Sequence, residues 1–343
     1  MFDLNQNIPL LLSLAFVVGG LVVLSWSADR FVDAAARLAR AFGVSPLIVG
    51  MVIIGFGTSA PELAISVLSG LAGKADLSLG NAYGSCTFNL AAILGIAALI
   101  YPLKVKPSVT FFAVPILIGI TILSYGLVHD MAFQRADGLI LLGAFALLMP
   151  LYCWFDQVKG KKTPAAEVAA PPAAPVERPK ARVMDFVWVV LGIALLVGSS
   201  HVLVWGCVDF ARDVLGVSPL LIGLTVVAAG TSLPELASAV ASARRKEHEF
   251  VIGNIVGSNL FNTLGVVGIA GSLSPFDGFS KYVVSRDLPM MALMSLALAL
   301  FGINWRHPKQ GGCVSRVEGG FWVLAFLVYL TVMILQETGH WKF

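Results

Sequence analysis

Charged side chains are scarce in this chain: Asp, Glu, Lys and Arg make up 13% of its 343 residues, against 57% hydrophobic, and mean hydropathy is +0.86. An ordinary soluble domain carries roughly twice that charged fraction, so most of the surface is not built for water. Histidine is nearly as rare. His129, His201, His248, His307 and His340 fall in expected loops or at expected span ends, which removes the base that a serine nucleophile inside the membrane would need. Cys86, Cys153, Cys207 and Cys313 lack metal-ligand spacing, so neither a disulfide framework nor a zinc site is indicated. No Lys or Arg precedes Arg30, and Asp3 is the only early charge. Without a basic leader region or an evident cleavage site, the first apolar segment reads as a retained span rather than a signal peptide.

What is abundant is apolar length. A bilayer requires about 20 apolar residues per helix, and ten such windows can be placed, near 8–28, 46–71, 77–100, 110–128 and 136–155, then 185–205, 219–243, 250–273, 287–304 and 319–336. The expectation is an all-α polytopic membrane protein with two five-helix halves, 1–155 and 185–343, joined by a linker at 156–184. Because five is odd, the second half enters the membrane in the opposite sense, which makes the halves inverted-topology repeats. The loops after odd-numbered spans hold 17 of the 23 Lys and Arg. That bias places them and the linker in the cytoplasm, with both termini outside an inner (plasma) membrane. It also accounts for the net charge of +3 without nucleic acid as a partner. Trp26, Trp154, Trp188, Trp205, Trp305 and Trp322 stand near proposed span ends, as an aromatic belt would. From Lys159 to Arg182 the chain is Lys, Pro, Ala and Glu with few large apolar side chains, and reads as a flexible tether.

The two halves repeat one another in their polar residues. Gly57-Thr58-Ser59-Ala60-Pro61-Glu62-Leu63 returns 173 positions later as Gly230-Thr231-Ser232-Leu233-Pro234-Glu235-Leu236. The same offset relates Gly80-Asn81, Gly84-Ser85 and Phe88-Asn89 to Gly253-Asn254, Gly257-Ser258 and Phe261-Asn262. Over the whole motif, 43–89 against 216–262, 21 of 47 positions are identical.

Each copy sets a glutamate midway along an apolar span, where insertion scales charge roughly 2.5–3.5 kcal/mol for an ionised acid. Spans two, three, seven and eight hold no Lys, Arg or His except near their ends, so a salt-bridge partner is missing. Pro61 and Pro234 each remove a backbone donor and free a carbonyl one turn back, near Gly57 and Gly230. Hydroxyls, freed carbonyls and one carboxylate thus share one opened turn, an all-oxygen ligand set suited to hard cations such as calcium or sodium. Ser85 with Asn89, and Ser258 with Asn262, lie at i, i+4 and share a helix face. Taken singly, the small residues are also what helix packing in lipid selects, and the prolines are also tolerated kinks.

These paired segments resemble the two alpha repeats of the cation/calcium exchanger superfamily, and more narrowly its prokaryotic sodium/calcium-exchanger branch of inner-membrane antiporters. The resemblance covers nearly the whole chain. It implies ten spans with broken helices 2 and 7 at the midplane, and spans one and six sliding past the remaining core. The implied ion ligands are Thr58, Ser59, Glu62, Ser85, Asn89, Thr231, Ser232, Glu235, Ser258 and Asn262, with carbonyls near Gly55 and Ala228. The transported ions would be calcium and sodium, with no cofactor and no obligatory protein partner beyond the lipid bilayer and inorganic cations.

Some relatives of this type carry Asp at the position of Asn262; with Asn89 and Asn262 both neutral, the site holds two formal charges. One calcium, two sodium ions or two protons would each balance them. A calcium/proton exchanger on the same scaffold therefore stands as the alternative, although that branch places a second acid inside the Gly-Asn motif, where this chain has Tyr83-Gly84-Ser85 and Val256-Gly257-Ser258. The charge bias carries a direct prediction. In a background freed of native cysteines, a single cysteine placed within 161–181 will react with a membrane-impermeant maleimide only from the cytoplasmic face, and one at either terminus only from outside.

Overall fold

Inside a bilayer a chain must satisfy its backbone hydrogen bonds within each segment, and the apolar windows are accordingly helical. The computed structural model describes residues 10–160, 182–213, 228–307 and 311–337. In chain order the helices are α1 (Leu10–Phe42), α2 (Pro46–Thr58), α3 (Ala60–Leu71), α4 (Ala75–Ile100), α5 (Val109–Val128) and α6 (Arg135–Gly160). There follow α7 (Val183–Asp213), α8 (Ala228–Thr231), α9 (Leu233–Arg244), α10 (His248–Leu273), α11 (Val283–Gly302) and α12 (Arg316–Glu337). Among the described residues, eight helices are long and apolar enough to cross a membrane, or nine when α2 and α3 count as one broken span. Most of the expected linker lies outside the described residues, as do both chain ends, Gly216 to Leu220 and the start of the expected span 219–243.

The breaks occur where proline demands them. Pro61 cannot donate to the carbonyl four residues back and crowds that turn; Ser59 responds with φ −83° and ψ 11°, and the axes of α2 and α3 diverge by 46°. Pro234 has the same effect at Ser232, with φ −93° and ψ 11° between α8 and α9.

Two helices outrun their expected windows. α1 continues past residue 28 to Phe42, and α7 past 205 to Asp213. The extension of α1 is charged yet amphipathic: Phe31, Val32, Ala34, Ala35, Leu38 and Ala39 are buried, while Asp29, Asp33, Arg37 and Arg40 face outward into ion pairs. Asp209, four residues past the expected window 185–205, is inside α7, buried, and accepts a 2.6 Å hydrogen bond from Ser13 Oγ. At the far end of the same antiparallel pair, Arg37 Nε meets Asp185 Oδ1 at 2.6 Å. α1 and α7 pack along each other more extensively than any other two helices, and share an apolar cluster that includes Leu24, Phe31, Leu196 and Leu203. A larger cluster, from Leu79 and Leu90 through Leu264 to Trp322, unites α4, α5, α6, α10, α11 and α12. Trp322 belongs to that core, fully buried and edge-on to Phe301 at 5.1 Å, and not to an interfacial belt. Trp26, Trp154 and Trp305 are exposed as a belt requires.

Two short antiparallel sheets tie the halves together. β1 (Leu103–Val105) pairs with β4 (Gly312–Val314), and β2 (Ala132–Phe133) with β3 (Phe276–Asp277). At the centre, α2 and α10 cross so closely that side chains are excluded. A Cβ on Gly257 would lie 2.2 Å from the Met51 carbonyl oxygen, and one on Gly253 would lie 2.4 Å from that of Leu47. Backbone cannot yield as a side chain can. Gly257→Val is therefore expected to lower the melting temperature of purified protein sharply, by a loss on the order of 3 kcal/mol or more. Gly143→Val, at an exposed site with open space, should leave it within about 1 kcal/mol of the parent.

Candidate cation site

Both glutamates are buried, Glu62 at 0% and Glu235 at 1% exposure, and neither has an ion-pair partner among the described residues. What holds them is hydroxyl chemistry from the opposite half. Ser59, in the break between α2 and α3, donates to Glu235 Oε1 at 2.8 Å. Ser232, in the break between α8 and α9, donates to Glu62 Oε1 at 2.9 Å. Each broken turn thus serves the other's carboxylate. Ser85 of α4 joins the second arrangement, lying 3.3 Å from Glu62 Oε1 and 3.1 Å from Ser232 Oγ.

Symmetry stops there. Ser258, the duplicate of Ser85, reaches the carbonyl oxygen of Gly55 at 3.2 Å, so a carbonyl and a hydroxyl expected to ligate ions bind each other across the two halves. Thr58 Oγ1 donates back to Ile54 O at 2.9 Å. Thr231 is buried in α8 beside Ser232. All ten residues singled out from sequence are buried, and the serines and glutamates converge; Asn89 and Asn262 stand on the same helices, each within a widened, π-helical turn (Asn89–Ile93 and Phe261–Val266). Such turns often mark functional sites, because they shift the helix face by one residue.

The remaining capacity of these groups is informative. Glu62 Oε2, Glu235 Oε2 and both amide atoms of Asn89 and of Asn262 are fully buried with no hydrogen-bond partner among the described residues. A buried polar atom without a partner costs about 1–3 kcal/mol, and more when charged. Two carboxylate oxygens and two amide oxygens are left in this condition, and each is of the kind that a hard cation takes as a ligand. A serine that gives its proton to a carboxylate keeps lone pairs for a cation, so the same hydroxyls can both orient and ligate.

A layer of support escaped the sequence reading. Asn81 Nδ2 donates to the Glu62 carbonyl at 3.1 Å and to Ser66 Oγ at 2.9 Å; Asn254 Nδ2 repeats this with the Glu235 carbonyl at 3.1 Å and Ser238 Oγ at 3.0 Å. The Gly-Asn pairs were visible as repeated residues, but their target was not. Ser66 and Ser238 are not in register: Ser66 follows its glutamate by four positions and Ser238 by three. An alignment of the halves therefore hides their common role.

A helical multi-pass membrane protein with a buried, oxygen-lined centre built from both halves is the architecture of a cation transporter. The profile of the family described as sodium/calcium exchanger protein matches residues 12–154 and 184–335, and the chain belongs to that family. It is 37% identical over 323 residues to a protein of Alkalimonas amylolytica named CaxA, covering 93% of this chain and 98% of that one. It is 34% identical over 332 residues to the inner membrane protein YrbG of Escherichia coli (strain K12), covering 96% and 100%. A solved structure of the sodium-calcium exchanger NCX_Mj superposes with a TM-score of 0.77 at 26% identity, covering 94% of this chain and 99% of that one.

Substituting the supporting amides tests the site without touching its ligands. Asn81→Ala or Asn254→Ala is expected to weaken apparent calcium affinity by about 10-fold or more, as loss of an orienting partner does in other metal sites, read as the calcium concentration at half-maximal flux in proteoliposomes.

Proposed function

We propose that the protein is a secondary active antiporter that exchanges calcium for sodium by alternating access, with the ions held at the membrane midplane between Glu62 and Glu235. The observation that carries this reading is the pair of reciprocal serine bonds, Ser59 to Glu235 and Ser232 to Glu62, which leave one oxygen of each buried carboxylate without a hydrogen-bond partner among the described residues. Ion occupancy then stabilises both halves at once, so the loaded site favours closure over either open state. The ligands are Thr58, Ser59, Glu62, Ser85, Asn89, Thr231, Ser232, Glu235, Ser258 and Asn262; the similar protein NCX_Mj is a sodium-calcium exchanger whose crystals were soaked with sodium and calcium or strontium ions.

The architecture we infer is ten spans in two inverted five-span halves, with α2–α3 and α8–α9 as the broken pair. The sheets support it. β1 and β4 follow spans three and nine, and β2 and β3 follow spans four and eight, so each sheet joins loops that alternation assigns to one face. With 17 of 23 basic residues on the odd-numbered loops, the first sheet is cytoplasmic, both termini are outside, and the membrane is the inner one, in keeping with the name of the YrbG relative.

Calcium-45 uptake into proteoliposomes loaded with sodium, potassium or acid, with and without an imposed potential, tests the reading. Uptake driven by internal sodium is the expected result, and sensitivity to potential would identify electrogenic exchange. Uptake driven by internal acid alone would transfer the chain to calcium/proton exchange, which two neutralisable carboxylates also permit. Glu62→Gln and Glu235→Gln, each removing one of two formal charges, should lower exchange by about 100-fold or more; wild-type rates in either variant would sink the assignment.

A further inference from the structure

The duplication runs at two offsets that differ by one. In the core motif the offset is 173. Between α1 and α7 it is 172, and the packing fixes that register. A Cβ on Gly20 would meet Leu203 and one on Gly192 would meet Phe31, each at 2.8 Å, and an offset of 172 carries Gly20 to Gly192 and Phe31 to Leu203. The bonds at the two ends of the pair, Ser13 to Asp209 and Arg37 to Asp185, likewise join one set of equivalent positions. α1 and α7 are thus symmetric between themselves, and their shared apolar cluster makes them one body.

Against the core the symmetry fails. α1 lies along α9, whose Leu233, Ala237 and Ala241 belong to the body's own apolar cluster. The equivalent seam would set α7 along α3, and among the described residues those two helices barely touch. The equivalent side chains on α3, Ala60, Ala64 and Leu68, are exposed; Leu68 is 66% exposed where Ala241 is 4% exposed. The duplication offers the body two seams, and in this structure only the one on α9 is closed.

A charged contact fastens the closed seam. Arg245, just past the end of α9, reaches Asp33 Oδ1 through Nη1, Asp29 Oδ1 through Nε at 3.7 Å and the Asp29 carbonyl oxygen through Nη2 at 3.3 Å. The equivalent positions are Ala72 in the core and His201 and Trp205 on α7, a set that holds no guanidinium and no carboxylate. Closing the other seam gains nothing comparable from these positions.

Resting on the exchanger reading and its orientation above, we propose that Arg245 is a positioning residue whose pairs with Asp29 and Asp33 latch the α1–α9 seam, hold the cytoplasmic face shut and bias the protein toward the outward-facing state. Arg245 follows span seven, on a loop that the basic residues assign to the cytoplasm. It is not among the ion ligands, so it sets the populations of the two states and not the intrinsic affinity of the site. Its side chain and those of both aspartates are 35–47% exposed, so the latch is weak and open to screening by salt. A weak latch tilts the equilibrium without arresting transport.

The apparent affinity at each face scales with the fraction of protein facing it. Half-saturating calcium is measured at both faces of oriented vesicles, with whichever counter-ion drives calcium in the wild type. In Arg245→Gln the ratio of the cytoplasmic to the external value should fall about 2- to 5-fold, and Arg245→Lys should keep it near the wild-type ratio. Concentrated choline chloride on the cytoplasmic side should move the wild type toward the Arg245→Gln ratio and leave that variant where it is. A second readout needs no transport. In a background freed of native cysteines, Ala241→Cys, covered while the seam is closed, should react with an impermeant maleimide from the cytoplasmic side about 2- to 5-fold faster when Arg245→Gln is added. An unchanged ratio and labelling rate, or equal weakening at both faces as a packing defect would give, overturns the proposal. Should Arg245→Gln fail to yield monodisperse protein, Asp33→Asn decides by the same two readouts. A wild type that moves no calcium would sink the exchanger reading, and the labelling rates would still uphold or overturn the latch.

Discussion

Two carboxylates buried in a lipid-spanning core, with no cation among the described side chains to answer them, are the constraint around which the molecule is arranged. An ion pair would have solved the electrostatic problem permanently. Serine hydroxyls solve it partially, giving each glutamate one neutral donor from the opposite half and leaving the second oxygen unmet. Partial satisfaction is the condition a transporter needs, because a site that is comfortable when empty has no use for an ion, and one that binds too well cannot release it.

The rest of the fold follows from bringing those donors together. The two serines that reach the opposite half's glutamate, Ser59 and Ser232, sit where the helices are broken, and proline breaks them without exposing backbone to lipid, since neighbouring helices satisfy the freed groups. Ser200 on Gly230 O is an instance of that repair. Glycines at 253 and 257 let α10 approach α2 to backbone contact, which carries the Ser258 hydroxyl to the Gly55 carbonyl. Asn81 and Asn254 pin the backbone of each glutamate to a neighbouring helix, and the small sheets at the rims join one half to the other.

The duplication makes symmetry the default, so departures from it carry information about state. Ser85 and Ser258 are equivalent in sequence and differently engaged. A single static conformation of an inverted repeat cannot be symmetric if it is to be open to one side only. Charged residues on α1 show the same bias: Arg245, at the C-terminal end of α9, pairs with Asp33 and Asp29, and Arg40 with Glu247, fastening one end of the α1–α7 body to the core. These pairs are half exposed, and each is worth at most about 1 kcal/mol, weak enough to break during transport.

Much of this was legible in the chain alone. Apolar length in runs of about 20 residues announces membrane helices, because in lipid a helix closes its backbone bonds within the segment; the repeated polar motif announces two halves; and a glutamate after Thr-Ser and proline in such a span marks a candidate site, because no Lys, Arg or His in the middle of that span answers it. Where α1 and α7 end was misread, since hydropathy registers the charges of residues 29–42 and not the buried face between them. Trp322 was assigned to the interface for the same reason: position along a helix does not report which way the ring points. The partners of each serine, the support from Asn81 and Asn254, and the unequal engagement of Ser85 and Ser258 are set by distances between helices far apart in sequence. Composition and spacing thus determined that polar oxygen would gather in the membrane; only the packing of one half against the other decided which oxygen meets which.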